Sequence, residues 1–261
     1  MQSVVYDGSW EGFLAAVFDV YYFKFESPDI VPAYRFSGNI FSTPHEVHNT
    51  AAHEERIKKG LKNKLTKEGW DAVYRAFLSE DPGIETALLH YIQYLFASNV
   101  FMEKDYSHPA VITVTQTAKK VWREKHRMEA FVRFQKTQDG LFYSMIEPDH
   151  NVLPLISKHF SSRYADQRWL IYDGKRKYGL YYDLETVAEV EINFSEAAGR
   201  GADVAAVYDA EEGAYQQLWQ QYFSSVNIKA RKNTRLHIQH MPKRYWKYLP
   251  EKNINSGSNR A

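Results

Sequence analysis

The residues best suited to chemistry lie near the C-terminus, where cations alternate with planar rings. Arg231, Arg235, His237, Lys243 and Arg244 run into Tyr245 and Trp246, with Lys247 and Tyr248 behind them. Phosphate oxygens accept from such cations, and arginine offers a two-pronged fork. Unpaired bases stack on aromatic faces. The same composition suits an arm that packs its rings on a core and leaves its charges in water, so both readings stand. A second basic stretch, Lys119 to Arg133, carries six Lys/Arg against Glu124 and Glu129. On a helix, Lys120, Arg123 and Arg127 share one face, while Ala118, Val121, Trp122 and Met128 line another. Lys125 falls on the apolar side, where it either snorkels outward or sits in an anion site. Arg133, between apolar neighbours, requires an acidic partner or a phosphate. Arg163 adds a further cation.

Acid–base chemistry has fewer candidates. Glu147-Pro-Asp-His150 follows a strand, and His159 lies one helical turn before Arg163. With Asp173 at a second strand end, Glu147, His150 and His159 form the catalytic candidates, since carboxylates and histidines at a sheet rim can move protons. Helix capping and turn formation explain Asp149, Asn151 and Asp173 without any reaction. His45-Glu-Val-His48 lacks zinc-protease spacing, and His53 does not complete a set, so no metal is expected. No glycine-rich phosphate loop and no Gly-x-Ser-x-Gly setting occurs, so no bound cofactor is expected either.

These residues need elements to carry them. Val4 to Tyr6 reads as a strand and Asp7-Gly8 as a turn, and Ser9 caps a helix whose Trp10, Phe13, Leu14, Val17, Phe18 and Tyr21 repeat at helical spacing. Three more helices are predicted: from Thr43-Pro44 towards Leu65, from the Thr66 cap, and from Asp81-Pro82. Val111 to Thr115 suits a strand or the lead-in to a helix, and Ala118 to Ala130 is helical. Phe131 to Phe134 and Leu141 to Ile146 read as strands around Asp139-Gly140. Asn151 to Tyr164 reads as a helix that tolerates Pro154 in its first turn. Arg168 to Tyr172, Tyr178 to Tyr182 and Val187 to Ile192 add strands, and a last helix carries Tyr215, Leu218, Trp219, Tyr222 and Val226.

The fold expected is therefore α+β: a mainly helical N-terminal part, a central antiparallel sheet with an inserted helix, then a C-terminal helix and a basic arm. Residues 1–252 are expected to form one domain, with a helical subregion over 1–105 and a sheet-containing one over 106–252. Residues 253–261 read as a disordered tail.

Composition narrows the function classes. Hydrophobic residues make up 44% of the 261, enough for a packed core. There is no cysteine, which excludes disulfides, thiolate metal sites, a cysteine nucleophile and any iron–sulfur cluster held by this chain alone. No signal peptide is read at the N-terminus, and no run approaches the roughly 18 apolar residues of a membrane span. A cytoplasmic protein without membrane partners is expected. Net charge is only +1, yet Lys229 to Lys252 holds eight Lys/Arg and a single acid. Such asymmetry suggests a basic face offered to a polyanion.

Several blocks in order carry a family resemblance: Glu124 to Phe134, Ile146-Glu-Pro-Asp-His150, His159-Phe160, Trp169-Leu-Ile-Tyr-Asp173, and Arg231-Lys-Asn through His240-Met-Pro-Lys-Arg-Tyr-Trp246. Tyr6-Asp-Gly-Ser-Trp-Glu-Gly12 and Tyr74-Arg-Ala-Phe-Leu78 fit as well. Together they resemble an uncharacterised bacterial family described as DNA metabolism or repair proteins. The resemblance implies association with a radical S-adenosylmethionine protein of DNA repair, and with uracil-DNA glycosylase-like domains. It supplies no catalytic residue.

The expectation is a DNA-binding accessory protein that holds single-stranded or damaged DNA for a radical S-adenosylmethionine partner. Lys120, Arg123, Lys125, Arg127, Arg133, Arg163, Arg231, Arg235, His237, Lys243 and Arg244 would contact the strand, with Tyr245 and Trp246 stacking. Two alternatives remain: a nuclease or glycosylase-like hydrolase using Glu147, His150, His159 or Asp173, and an interaction module without DNA affinity. The sequence does not establish an enzyme.

Overall fold

The computed structural model describes residues 2–38, 43–48, 50–137, 140–191 and 241–249. Ser9 starts helix α1 (Trp10–Tyr22) as its chemistry predicts. Its backbone is extended, and its Oγ accepts the Gly12 amide at 2.8 Å, satisfying a first-turn donor that has no partner within the helix. Before it runs β1 (Gln2–Tyr6), and after it β2 (Pro28–Pro32). With β3 (His45–Glu46) they form a three-stranded sheet in the order β2-β1-β3, parallel at both pairings. This sheet was not expected. Pro28 and Pro32 obscure β2 in the sequence, because a residue without an N–H is tolerated only where no ladder bond is needed, and β2 is an edge strand.

The helix expected from Thr43-Pro44 begins later. Thr50 caps it, and α2 spans Ala51–Lys62. The Thr66 cap is where the sequence puts it, with Oγ1 accepting the Gly69 amide at 3.1 Å at the start of α3 (Lys67–Phe77). Helix α4 (Ile84–Ala97) starts after Gly83, whose φ of 81° suits a residue without a side chain. Helix α5 (Pro109–Phe131) is continuous, so Val111 to Thr115 is its lead-in and not a strand. One apolar core joins Phe13, Leu14 and Val17 of α1 to Val73 of α3, Leu88 and Ile92 of α4, and Val111 and Val114 of α5. Full burial of one such side chain contributes about 1.5–3 kcal/mol.

The chain divides into two compact units, Met1–Trp122 and Arg123–Ala261, so α5 contributes to both. The second unit holds β4 (Gln135–Lys136), β5 (Phe142–Ile146), α6 (Leu153–Arg163), β6 (Trp169–Asp173), β7 (Tyr178–Tyr182) and β8 (Val187–Glu191), in one sheet of that strand order. Two expectations change here. The strand at Phe131 to Phe134 is replaced by the end of α5 and an irregular link, and pairing begins only at Gln135. The sheet is not wholly antiparallel either: β5 and β6 run parallel, with α6 as the crossover that such a pair requires. The other three pairings are antiparallel.

Every residue of β6 is buried, as befits a strand inside the sheet. Trp169 packs among Phe134, Phe160 and Tyr182, with the Tyr182 ring stacked 5.4 Å away. A 3₁₀ helix over Lys243–Tyr248 follows later in the chain. The helix expected around Tyr215 to Val226 and the arm from Arg231 to His240 lie outside the described residues. No helix among the described residues is long and apolar enough to cross a membrane.

Candidate functional site

Two clusters in the second unit gather the four catalytic candidates and, of the binding candidates, Lys125, Arg163, Arg244 and Tyr245. The first forms at the carboxyl ends of the parallel pair β5 and β6, the end where loops of parallel strands commonly build ligand sites. The loop after Ile146 carries Glu147, Asp149 and His150 there, and Asp173 ends β6 directly opposite Ile146. Glu124 organises this loop from α5. It is 2% exposed, and its two oxygens accept the amides of Asp149 at 2.9 Å and His150 at 2.8 Å.

The 3₁₀ helix is tied to the same carboxylate. The Tyr245 hydroxyl donates to Glu124, and Arg244 Nη2 lies 3.2 Å from Glu124 Oε1 and 2.7 Å from Asp149 Oδ2. Burial alone would raise the Glu124 carboxyl, but hydrogen bonds from Tyr245 and the two amides outweigh it and hold the group below the usual glutamate range. Burial, then Glu124, pushes the Tyr245 hydroxyl up, so it remains a proton donor. Lys247 meets Glu147 at 2.5 Å and lowers its carboxyl.

A further set of bonds holds the loop from β6. Asp173 is fully buried. Its Oδ1 accepts the amides of Lys175 and Arg176, and its Oδ2 accepts from the Arg176 guanidinium at 2.9 Å. Arg176 also donates to the carbonyls of Pro148 and Asp149, and Lys175 Nζ to the latter. Asp173 therefore serves the turn and fixes Arg176. His150 Nε2 is 4.0 Å from Glu124, too far for a hydrogen bond. This hub is a network of donors matched to acceptors, which rigidifies a loop.

The second cluster is an open groove of about 580 Å³ along α6 and the second half of α5. Leu155, Lys158, His159, Ser162 and Arg163 follow helical spacing on one face of α6, and Lys125 and Glu129 come from α5. Among the described residues of the lining, Glu129 is the one carboxylate. It meets Lys125 Nζ at 2.5 Å and His159 Nδ1 at 3.6 Å. Lys158 and Arg163 are exposed, and Arg163 lies 5.8 Å from the Tyr164 ring centre. The groove is thus net cationic.

The structure places the remaining candidates separately. Lys120 belongs to the first unit, on an exposed turn of α5. Arg123 is exposed, and Arg127 is half-buried. Arg133 donates to the Ala130 carbonyl at 2.7 Å and to that of Val132, at the end of α5. Tyr245 is 3% exposed, and its ring faces no solvent on which a base could stack. Trp246 is half-buried and donates to the Met241 carbonyl, with Lys243 6.0 Å from its ring centre. Arg231, Arg235 and His237 lie outside the described residues.

A family model matches residues 82–251, described as a domain of unknown function, DUF4130. The chain belongs to the DUF4130 family. The DUF4130 match spans α4 through the 3₁₀ helix, so both clusters fall inside it, whereas β1 to β3 and α1 to α3 precede it. No curated protein and no solved structure matches the chain.

Glu124, Glu129, Asp149, Arg176, Lys158 and Ser162 belong to the clusters and were not among the candidates from sequence. Glu124 continues the buried stripe of Val121 and Met128 at spacings of three and four, a signal that was available. Lys158 and Ser162 share the face of His159 and Arg163 and could have been found by the same rule. Trp122 errs the other way: assigned to the apolar face, it is 50% exposed. Elsewhere, buried Asp19 faces His45 Nε2 at 2.8 Å and His53 Nδ1 at 3.7 Å. Among the described residues no set of three or more His, Asp or Glu side chains could hold a metal ion.

Proposed function

We propose that this chain is a DNA-binding accessory protein of DNA repair or metabolism, and that the groove along α5 and α6 takes the phosphate backbone. The observation that carries this reading is the charge of the groove: among its described lining residues, Lys125, Lys158 and Arg163 outnumber the single carboxylate, Glu129. A lining with surplus cations in an open trough suits a strand of phosphates, and Ser162 adds a neutral donor. The resemblance to DNA metabolism proteins points the same way, as does the basic segment from Lys229. The chain would act with a radical S-adenosylmethionine partner. Having no cysteine, it would leave any iron–sulfur cluster to that partner.

The test is equilibrium binding to duplex, single-stranded and uracil-containing DNA over a range of salt. Neutralising four to six phosphates gives a log–log salt slope of about −3.6 to −5.4 for duplex. Reversing two groove charges, Lys158→Glu with Arg163→Glu, makes the slope shallower by about 2. A flat salt response overturns the proposal. Copurification with a radical enzyme in the absence of DNA affinity selects the interaction-module reading instead.

A further inference from the structure

The first unit contains a separate cavity of about 440 Å³, formed by α3, α4, the link after α4 and the first half of α5. Two large rings line it and yet are largely exposed: Trp122 at 50% and Tyr106 at 55%. Tyr91, buried, adds a third ring to the wall. Around these rings stand Arg75, Lys104 and Lys119, against Glu68 and Glu103. Glu103 is already engaged, accepting the Thr66 amide at 2.9 Å and its hydroxyl at 3.0 Å at the cap of α3. The Arg75 Nε is buried and finds no hydrogen-bond acceptor among the described residues.

A ring half in water beside a cavity keeps apolar area that a flat ligand would cover. A guanidinium and an ammonium at the same cavity select ligands that join a flat apolar body to an anion. A nucleotide has that composition: a base with two π faces, and a phosphate on a short tether. A purely apolar ligand would make no use of Arg75 and Lys104, and a bare phosphate would make no use of the ring faces.

We infer that this cavity receives one unpaired nucleotide of a single DNA strand, its base stacked on Trp122 or Tyr106 and its phosphate met by Arg75 or Lys104. The inference rests on the DNA-binding reading but uses residues that the groove does not contain. It makes the protein a reader of unpaired strand as well as a binder of backbone.

The experiment measures fluorescence anisotropy of labelled single-stranded and duplex oligonucleotides with the full chain and with Trp122→Ala, Trp122→Phe and Tyr106→Ala. Thermal unfolding followed by circular dichroism confirms that each variant is folded; both rings are exposed enough to be removed without opening the core. The expected result is a loss of about 10-fold in single-strand affinity for Trp122→Ala or Tyr106→Ala. Trp122→Phe restores most of it, and duplex affinity stays within about 2-fold. Unchanged single-strand affinity in both alanine variants overturns the cavity and leaves the groove standing. A wild-type chain that binds duplex alone does the same. A wild-type chain that binds neither form overturns both readings.

Discussion

The carboxylate hub and the cationic groove are built from the same kinds of residue and differ in what folding places beside them. At the hub, Arg244 meets Glu124 and Asp149, Lys247 meets Glu147, and Arg176 meets Asp173. At the groove, two lysines and an arginine stand against one described carboxylate, Glu129, which meets Lys125 and His159. The most conspicuous basic-aromatic run therefore supplies, over residues 241–249, a helix anchored by its charges. The modest face of α6 supplies the surplus. A cation is available to a ligand only when the fold brings it fewer carboxylates than cations, and sequence counts do not report that balance.

The contrast can be broken most directly at Glu124. Glu124→Ala strands two amides, the Tyr245 hydroxyl and Arg244, and is expected to cost about 3–5 kcal/mol in urea unfolding. Lys158→Ala, on the exposed groove, is expected to stay within about 0.5 kcal/mol. Equal losses would erase the distinction between the clusters. On DNA the ranking reverses: Lys158→Glu with Arg163→Glu lowers duplex affinity by 10-fold or more at low salt, about 1.4 kcal/mol. Arg244→Ala changes it less than about 2-fold, since its guanidinium is already held by two carboxylates. A stronger effect of Arg244→Ala on binding would move the interface to the hub.

Tyr245→Phe sharpens the picture by removing one donor while keeping the ring, and an unfolding loss of about 1 kcal/mol is expected. Acid gives the smallest and most graded perturbation. Because the folded carboxyl of Glu124 lies below its unfolded value, its contribution is complete above about pH 4.3 and fades as pH falls through the folded value. Urea midpoints of the wild type and Glu124→Gln should therefore converge below that pH. A gap that stays constant into acid would assign the stabilisation elsewhere.

Much of the secondary structure could be read because it is local. Ser9 and Thr66 cap their helices through their own hydroxyls, and Trp10 to Tyr21 repeat within one element. The errors fall where a distant partner decides. Pro28 to Pro32 forms a strand only because β1 supplies a parallel edge, and Phe131 is helical because α5 extends through it. Of the site residues, His159 and Arg163 were legible as neighbours on a helix, but their union with Lys125 depends on α6 returning to α5. Arg133 looked like a buried charge in want of an acid, and the carbonyl of Ala130, three residues back in α5, is one of its acceptors.

By itself the sequence determined the α+β class, the helix caps, the positions of most strands, and the unequal spread of basic residues. Those follow from hydrogen bonds and hydrophobic spacing over a few residues. Only the tertiary structure decided that β5 and β6 run parallel, that Tyr245 is buried on Glu124, and that Lys125 of α5 joins Lys158 and Arg163 of α6 along one groove. The physical reason is that charge neutralisation and strand direction are settled between residues far apart in the chain: Glu124 and Tyr245 meet across 121 positions, a distance that no local pattern encodes.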